Sequence, residues 1–339
     1  MVEKQTSDDL FRSTENIEQS IKELDPNSYL ARVSLEYAVS NSKIELLEYL
    51  IEKLSHSSSE ESKKWAEIYN IDNLVCKNEI SLIESTNRLT YITCNSQEMS
   101  ILRKIFQLYN YYDLKAFQMI EILSDLINEE IKLLDEGYMK DSLQSRLDLA
   151  MQSVHLHLNQ LEKSRSFGQN IIKIAPTPIM RAIAFKNLGT SYILENYNES
   201  INYFNQSLNI LNNIQRHQEI HNIKRLKNFV RIYWGHTQKV EFVKNQSITD
   251  HLIVVFSLIK NGDEKSAIES LKNVESNLQD DFTSGYYYYY LGLATKEEKY
   301  FYESIKFFSK SGDHFFRQLP LLALKEKGVD TMLLSALSV

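Results

Sequence analysis

The sequence predicts an all-α fold: a tetratricopeptide-like α-solenoid, a right-handed superhelix of helix hairpins with a C-terminal capping and dimerisation helix. Three observations carry this. The 339 residues include only 9 Gly and 4 Pro, so breakers are scarce and helices can run long. Strand signals are weak, with β-branched residues scattered instead of alternating. One pattern also recurs along the chain: a helix with small and aromatic residues, a polar turn, then a second amphipathic helix.

The copies follow in order. SLEYAVSNSKIELLEYLIEKL turns near Asn41 and FQLYNYYDLKAFQMIEIL near Tyr112. VHLHLNQLEKSRSFGQNIIKI turns near Asn159. LGTSYILENYNESINYFNQSLNIL, the clearest copy, turns near Asn196. VVFSLIKNGDEKSAIESLKNV and YLGLATKEEKYFYESIKFFSKS turn near Asn261 and Glu298. Asn159 to Asn196 and Asn261 to Glu298 are both steps of roughly 37 residues, close to the tetratricopeptide period of about 34. Degenerate copies fit around Ile71 to Leu89 and Ile220 to Val243. In the clear copy Gly189 permits close helix packing, and Tyr192, Tyr197 and Phe204 fill the seam. The Ala175 to Pro178 break is expected to separate two lobes. Residues 1–27 read as a leading helix or linker, 28–317 as the solenoid, and 318–339 as the capping and dimerisation segment.

The formal net charge is −7, which disfavours a dedicated nucleic-acid grip. Cys76 and Cys94 form neither a disulfide framework nor a metal motif, which fits a reducing cytoplasm. No signal peptide or membrane span is read from the residues. No Ser/His/Asp arrangement, Walker loop or GxGxxG occurs, so the chain is not read as an enzyme, and no cofactor or metal is expected.

His155 and His157 lie on different faces of a helix, which fits structural or ligand contacts better than a shared metal. His217 and His221 have ligand spacing but polar flanks, so a solvated face is favoured. The basic cluster Lys224, Arg225, Lys227 and Arg231 also reads as a solvated face. Some rings of Tyr286 to Tyr290 must pack in the core; the others could line a groove. Arg181 is either a carboxylate clamp or half of a surface ion pair. Asp313 is either a helix cap or a partner for a cationic group. Leu319, Leu321, Leu322, Leu324, Leu333, Leu334 and Leu337 are assigned to dimerisation.

YYYLG, FYESIKFFSKSGDHF and RQLPLLALKEKG, together with LGTSYILENYNESINYF and ARVSLEYA, resemble the AimR family of arbitrium peptide receptors of Bacillus phages. The resemblance covers nearly the whole chain. The middle repeats are also similar to the wider Rap, PlcR and PrgX group. The family resemblance implies a phage- or prophage-encoded homodimer in the bacterial cytoplasm that binds a short linear peptide of about six residues in a groove. Without peptide, such receptors activate transcription of a regulatory RNA that opposes lysogeny; peptide lowers that activation. Family members begin with a helix-turn-helix, whereas here the resemblance starts almost at the N-terminus. The chain is therefore read as a trimmed receptor or a natural short member, with DNA as a partner only through a helix-turn-helix. The alternatives are a Rap-like regulator of a partner protein, or a peptide sink or companion of a full-length subunit.

By the same resemblance Asp313 is a peptide contact, with Phe315 as the apolar residue after it. Arg181 matches a family arginine. Ser153 and His157 replace asparagines of an earlier repeat, Thr190 replaces another with Ile193 as its apolar neighbour, and Phe229 is the aromatic of a degenerate repeat. These replacements imply a peptide different from those of the best-known receptors.

Overall fold

The computed structural model describes residues 10–11, 17–241 and 247–337; the rest of the expected leading segment, 1–9 and 12–16, lies outside them. The described residues form eighteen α-helices and two 3-10 turns, with no strand among them. The all-α, tetratricopeptide-like class is as the composition implied. The chain divides into two compact units. One holds the described residues up to Val154 together with Ser166–Ala184; the other holds His155–Arg165 and Phe185 onward. The Ala175 to Pro178 break thus lies inside the first unit and not at its edge. Pro178 opens a helix there, where a missing N–H leaves no bond unmade.

The first unit is built from α1 (Ile17–Glu23), α2 (Tyr29–Ser40), α3 (Ile44–Ser55), α4 (Glu60–Cys76), α5 (Leu82–Tyr91), α6 (Gln97–Asp113) and α7 (Phe117–Lys132). It also takes most of α8 (Tyr138–His157) and parts of α9 (Leu161–Ile174) and α10 (Pro178–Ser191). Consecutive helices pack as hairpins, α2 on α3 and α6 on α7. Serines start α2, α4, α5 and α6: Ser28, Ser59, Ser81 and Ser96 each accept the backbone N–H three residues on, which satisfies one of the orphan donors of a helix start. The expected turns at Asn41 and Tyr112 are found, but the left-handed residues are Ser42 and Lys115.

An ion pair sits inside this unit. The Glu36 carboxylate, wholly buried, accepts from Arg146 Nε at 2.7 Å, Ser40 at 2.6 Å and the Tyr69 hydroxyl at 2.7 Å, and from Ser142. Burial alone would raise its pKa. Arg146 and the hydrogen bonds overcome that and hold it below the usual carboxylate range.

The second unit continues with α11 (Tyr197–Asn213), α12 (His217–Tyr233), α13 (Ile248–Lys260), α14 (Glu264–Val274), α15 (Asp281–Thr295), α16 (Glu298–Ser311), α17 (Gln318–Glu326) and α18 (Thr331–Ala336). Its hairpins share one device. A Cβ on Gly189 would fall 2.7 Å from the Phe204 ring, one on Gly285 2.7 Å from Phe308, and one on Gly292 2.8 Å from Phe301. Ser200 donates to the Gly189 carbonyl at 2.8 Å, and Ser304 donates to that of Gly285 at 2.7 Å. Each phenylalanine therefore lies on bare glycine backbone, and at Phe204 and Phe308 the serine one turn earlier ties the paired helices together. In α15 Tyr287, Tyr289 and Tyr290 are buried, while Tyr286 and Tyr288 are partly exposed.

The leucine-rich ending divides in two. Leu319, Leu321, Leu324 and Leu334 are buried within this chain, Leu337 is partly buried, and Leu322 and Leu333 are exposed. The buried four already pack within this chain, so of the dimerisation set only Leu322 and Leu333 are exposed, at 38% and 46%.

Candidate functional site

Asp313 opens the turn after α16. Gly312 ends that helix in the left-handed conformation, φ 74°, and the Asp313 N–H donates to the Phe308 carbonyl at 3.0 Å. Asp313 Oδ1 accepts the Phe316 N–H at 2.7 Å and so caps the turn. Its other oxygen faces His157 Nε2 at 3.4 Å. The His314 N–H donates to the His157 carbonyl at 2.7 Å. His157, at the end of α8, thus meets this turn through both backbone and ring. Asp313 is 3% exposed, whereas the His157 side chain is 32% exposed. Both sequence readings of Asp313 are compatible with this geometry, because the two oxygens do different work.

Beside the turn is a cavity of about 90 Å³. Phe229 of α12, Leu252 and Ile253 of α13, Phe282, Tyr286 and Tyr290 of α15, and Phe316 form its walls, with Arg225 and Thr249 supplying polar atoms. The rings interlock: Tyr286 lies 5.8 Å from Phe229 and 5.3 Å from Phe316, centroid to centroid. Burial pushes the Tyr286 hydroxyl well above the usual phenol range, and the charges of Tyr290 and Asp313 push it further. Tyr286 therefore stays neutral, and the Asp313 carboxylate is close enough to be felt at the cavity wall. Arg225 Nη1 donates to Thr249 at 3.0 Å and stands 3.9 Å from Asp250. Asp250 also faces His221 Nε2 at 3.0 Å. A carboxylate beside aromatic faces suits a cationic group; the apolar walls suit an aliphatic side chain.

The structure brings some of the expected residues together. His157 meets Asp313, and Phe229 lines the cavity. Phe315 is enclosed, 1% exposed, and the neighbouring Phe316 reaches the cavity instead. The Asp313 cap fixes that register. Thr190 is buried and its hydroxyl donates to the Lys186 carbonyl. Ile193 is buried, and its carbonyl accepts the Trp234 indole N–H at 2.8 Å. Ser153 and Arg181 belong to the first unit and are partly exposed. The Arg181 side chain makes no hydrogen bond or ion pair with any described residue. His221 departs from the solvated face read in the sequence, because it pairs with Asp250; in the basic cluster Lys224 is exposed, while Arg225 bonds Thr249, Lys227 bonds Asn205 at 2.8 Å and Arg231 pairs with Glu241. Phe282 and Phe316 are site residues that no spacing singled out, whereas Tyr286 and Tyr290 come from the tyrosine run.

Helical hairpins with an aromatic cavity beside an enclosed carboxylate make an arrangement suited to holding a ligand. The comparisons define the family. Residues 13–326 match the family model described as AimR transcriptional regulator-like, and the chain belongs to that family of transcriptional regulators. It is 29% identical over 317 residues to the AimR transcriptional regulator of Bacillus phage phi3T, an alignment covering 94% of this chain and 82% of the relative. With the AimR transcriptional regulator of Bacillus phage SPbeta it shares 25% identity over 315 residues, covering 93% and 81%. Among solved structures, selenomethionine phAimR superposes with a TM-score of 0.83 at 29% identity, covering 95% of this chain and 83% of that one. A phAimR structure with ligand gives 0.78 at 28% identity, covering 95% and 96%. No helix among the described residues is long and apolar enough to cross a membrane.

Proposed function

We propose that this chain is an intracellular receptor for a short communication peptide, and that the peptide adjusts a transcriptional output governing a phage's choice between lysis and lysogeny. The observation that carries the reading is the pairing of an almost fully enclosed Asp313 carboxylate with a partly exposed His157, next to an aromatic cavity. One Asp313 oxygen is committed to its cap. The other is held by a side chain that solvent reaches, so a ligand cation gains it by taking the place of the His157 ring. The cavity then receives an apolar side chain of the same ligand. In the first unit Arg181, whose side chain has no partner among the described residues, is the proposed holder of a peptide carboxylate. The receptor acts as a homodimer joined through the exposed leucines of its C-terminal segment, and reaches DNA only through a helix-turn-helix.

The experiment is calorimetry of the chain with the hexapeptides at the C-terminus of each small reading frame adjoining its gene. One of them is expected to bind with defined stoichiometry, and Asp313→Asn and Arg181→Ala are each expected to weaken it. A peptide that binds both variants as well as wild type would overturn the residue assignment. Absence of any binding peptide among them would overturn the receptor reading.

A further inference from the structure

α7 is apolar on two faces. Ile120, Ser124, Ile127 and Ile131 are buried against the rest of the first unit. The opposite side carries Met119, Ile122 and Leu126, continued by Leu133 just past the helix end, at 47%, 71%, 49% and 75% exposure. The steps from Met119 to Ile122 and on to Leu126 are three and four residues. Leu133 follows seven later, with Glu129 between them at the step of three. This is the spacing of a coiled-coil seam, not of scattered surface residues. A helix needs one apolar face to join its own core, so the second face is not required by the fold.

The flank of this seam is acidic. Glu121, Asp125 and Glu129 follow one another at intervals of four residues and are exposed. Glu129 is paired with Lys132 at 2.5 Å. Glu121 and Asp125 have no ion pair or side-chain hydrogen bond with any described residue. Like charges four apart on a helix repel, and the free chain carries that cost. A second copy of α7 laid on the seam would set acid against acid. A basic helix reverses the sign of the electrostatic effect: it covers the apolar row and neutralises Glu121 and Asp125 together.

We propose that the outer face of α7 is a docking surface for an amphipathic helix of another protein, with an apolar seam and lysine or arginine at its flanks. The interaction uses helix-in-groove chemistry and is separate from the cavity beside Asp313. A coiled-coil peptide of about three heptads, leucine at a and d and lysine at e and g, serves as the probe. Its binding to the full chain is read by fluorescence anisotropy, alongside a glutamate-flanked counterpart and a scrambled lysine–leucine peptide. The lysine heptad peptide is expected to bind, the other two to bind at least tenfold more weakly. Ile122→Ser with Leu126→Ser is expected to weaken it at least tenfold without altering the far-UV circular dichroism. Glu121→Gln with Asp125→Asn is expected to weaken it severalfold and to flatten its salt dependence. Equal binding of heptad and scrambled peptides, or unchanged binding by the Ile122/Leu126 variant, overturns the proposal. Wild-type self-association that the Ile122/Leu126 variant abolishes in sedimentation would assign the face to a second copy and overturn it as well.

Discussion

Replacing Asp313 separates two duties, because Oδ1 accepts the Phe316 N–H while Oδ2 faces His157. In Asp313→Ala both are lost. The Phe316 N–H, buried and held at 2.7 Å in the native chain, is left without its cap, which costs about 1–2 kcal/mol. For a unit of this size that corresponds to a fall in Tm of roughly 2–8 °C. In Asp313→Asn the amide oxygen can still accept from Phe316, so the expected fall is below roughly 2 °C. Ligand binding should respond differently. A cationic group held by the second oxygen makes a charge-assisted bond worth about 1.5–3 kcal/mol, so Asp313→Asn should weaken a cationic peptide by roughly 10- to 150-fold. An analogue with norleucine in place of the cationic residue should bind wild type and Asp313→Asn alike. Differential scanning calorimetry and isothermal titration of both peptides against the three proteins give the whole cycle. Equal destabilisation by Ala and Asn would refute the division of labour. A loss of affinity equally large for the norleucine analogue would refute the cation assignment.

Three other outcomes follow from the packing and the charges. Gly285→Ala forces a Cβ to within 2.7 Å of the Phe308 ring and should destabilise by about 1–3 kcal/mol in thermal unfolding despite the helix propensity of alanine; an unchanged or raised Tm would contradict the ring-on-glycine packing. Burial lifts the Asp72 carboxyl to about 6 from 3.8, more than Arg146 lowers it. The folded state therefore holds this proton more tightly, and the contribution is complete below pH 3.8 and lost as pH rises through 6. Because the side chain is only partly buried, Asp72→Asn should stabilise by about 1–2 kcal/mol near pH 7 and by little near pH 4, a difference measurable by urea unfolding at both. Leu322→Ser with Leu333→Ser should weaken dimerisation in sedimentation while leaving Tm nearly unchanged, whereas Leu324→Ser, inside the core, should cost about 2–4 kcal/mol; a variant pair that stays dimeric would remove these leucines from the interface.

Local rules made the hairpins readable from the sequence. Gly189 in an otherwise helical stretch and Phe204 at the matching place on the next helix suggested a close seam, and Phe204 lies on bare glycine backbone as that spacing required. Asn159 has a left-handed φ of 58°, and Asn196 caps α11, because asparagine favours such positions. The turn placed at Tyr112 slips to Lys115 because nothing in a lysine side chain announces a positive φ. Contacts distant along the chain left no trace. Glu36 and Arg146 belong to no motif and lie 110 residues apart, yet they meet at 2.7 Å inside the first unit. His221 looked solvated because its own helix is polar nearby, while its partner Asp250 comes from another helix. In the leucine-rich ending, one spacing suits both a core and an interface, and only burial separates Leu324 from Leu322.

The double attachment of His157 bears on how a ligand could be selected. Its carbonyl accepts the His314 N–H and its ring faces Asp313. A ligand cation that displaces the ring leaves the backbone bond and the Phe316 cap in place, so the turn keeps its shape while the carboxylate changes partner. The observed affinity then equals the intrinsic affinity reduced by the fraction of molecules in which the ring has moved aside. Asparagine at this position would remove the competitor, so His157→Asn is expected to tighten a cationic peptide and to leave the norleucine analogue unaffected. In the proposed receptor the histidine would thus act on affinity through competition as well as through any contact of its own. A weakly cationic or badly placed group gains nothing by displacing it, and a strongly bonded one does, which is discrimination by a repaid cost rather than by shape alone.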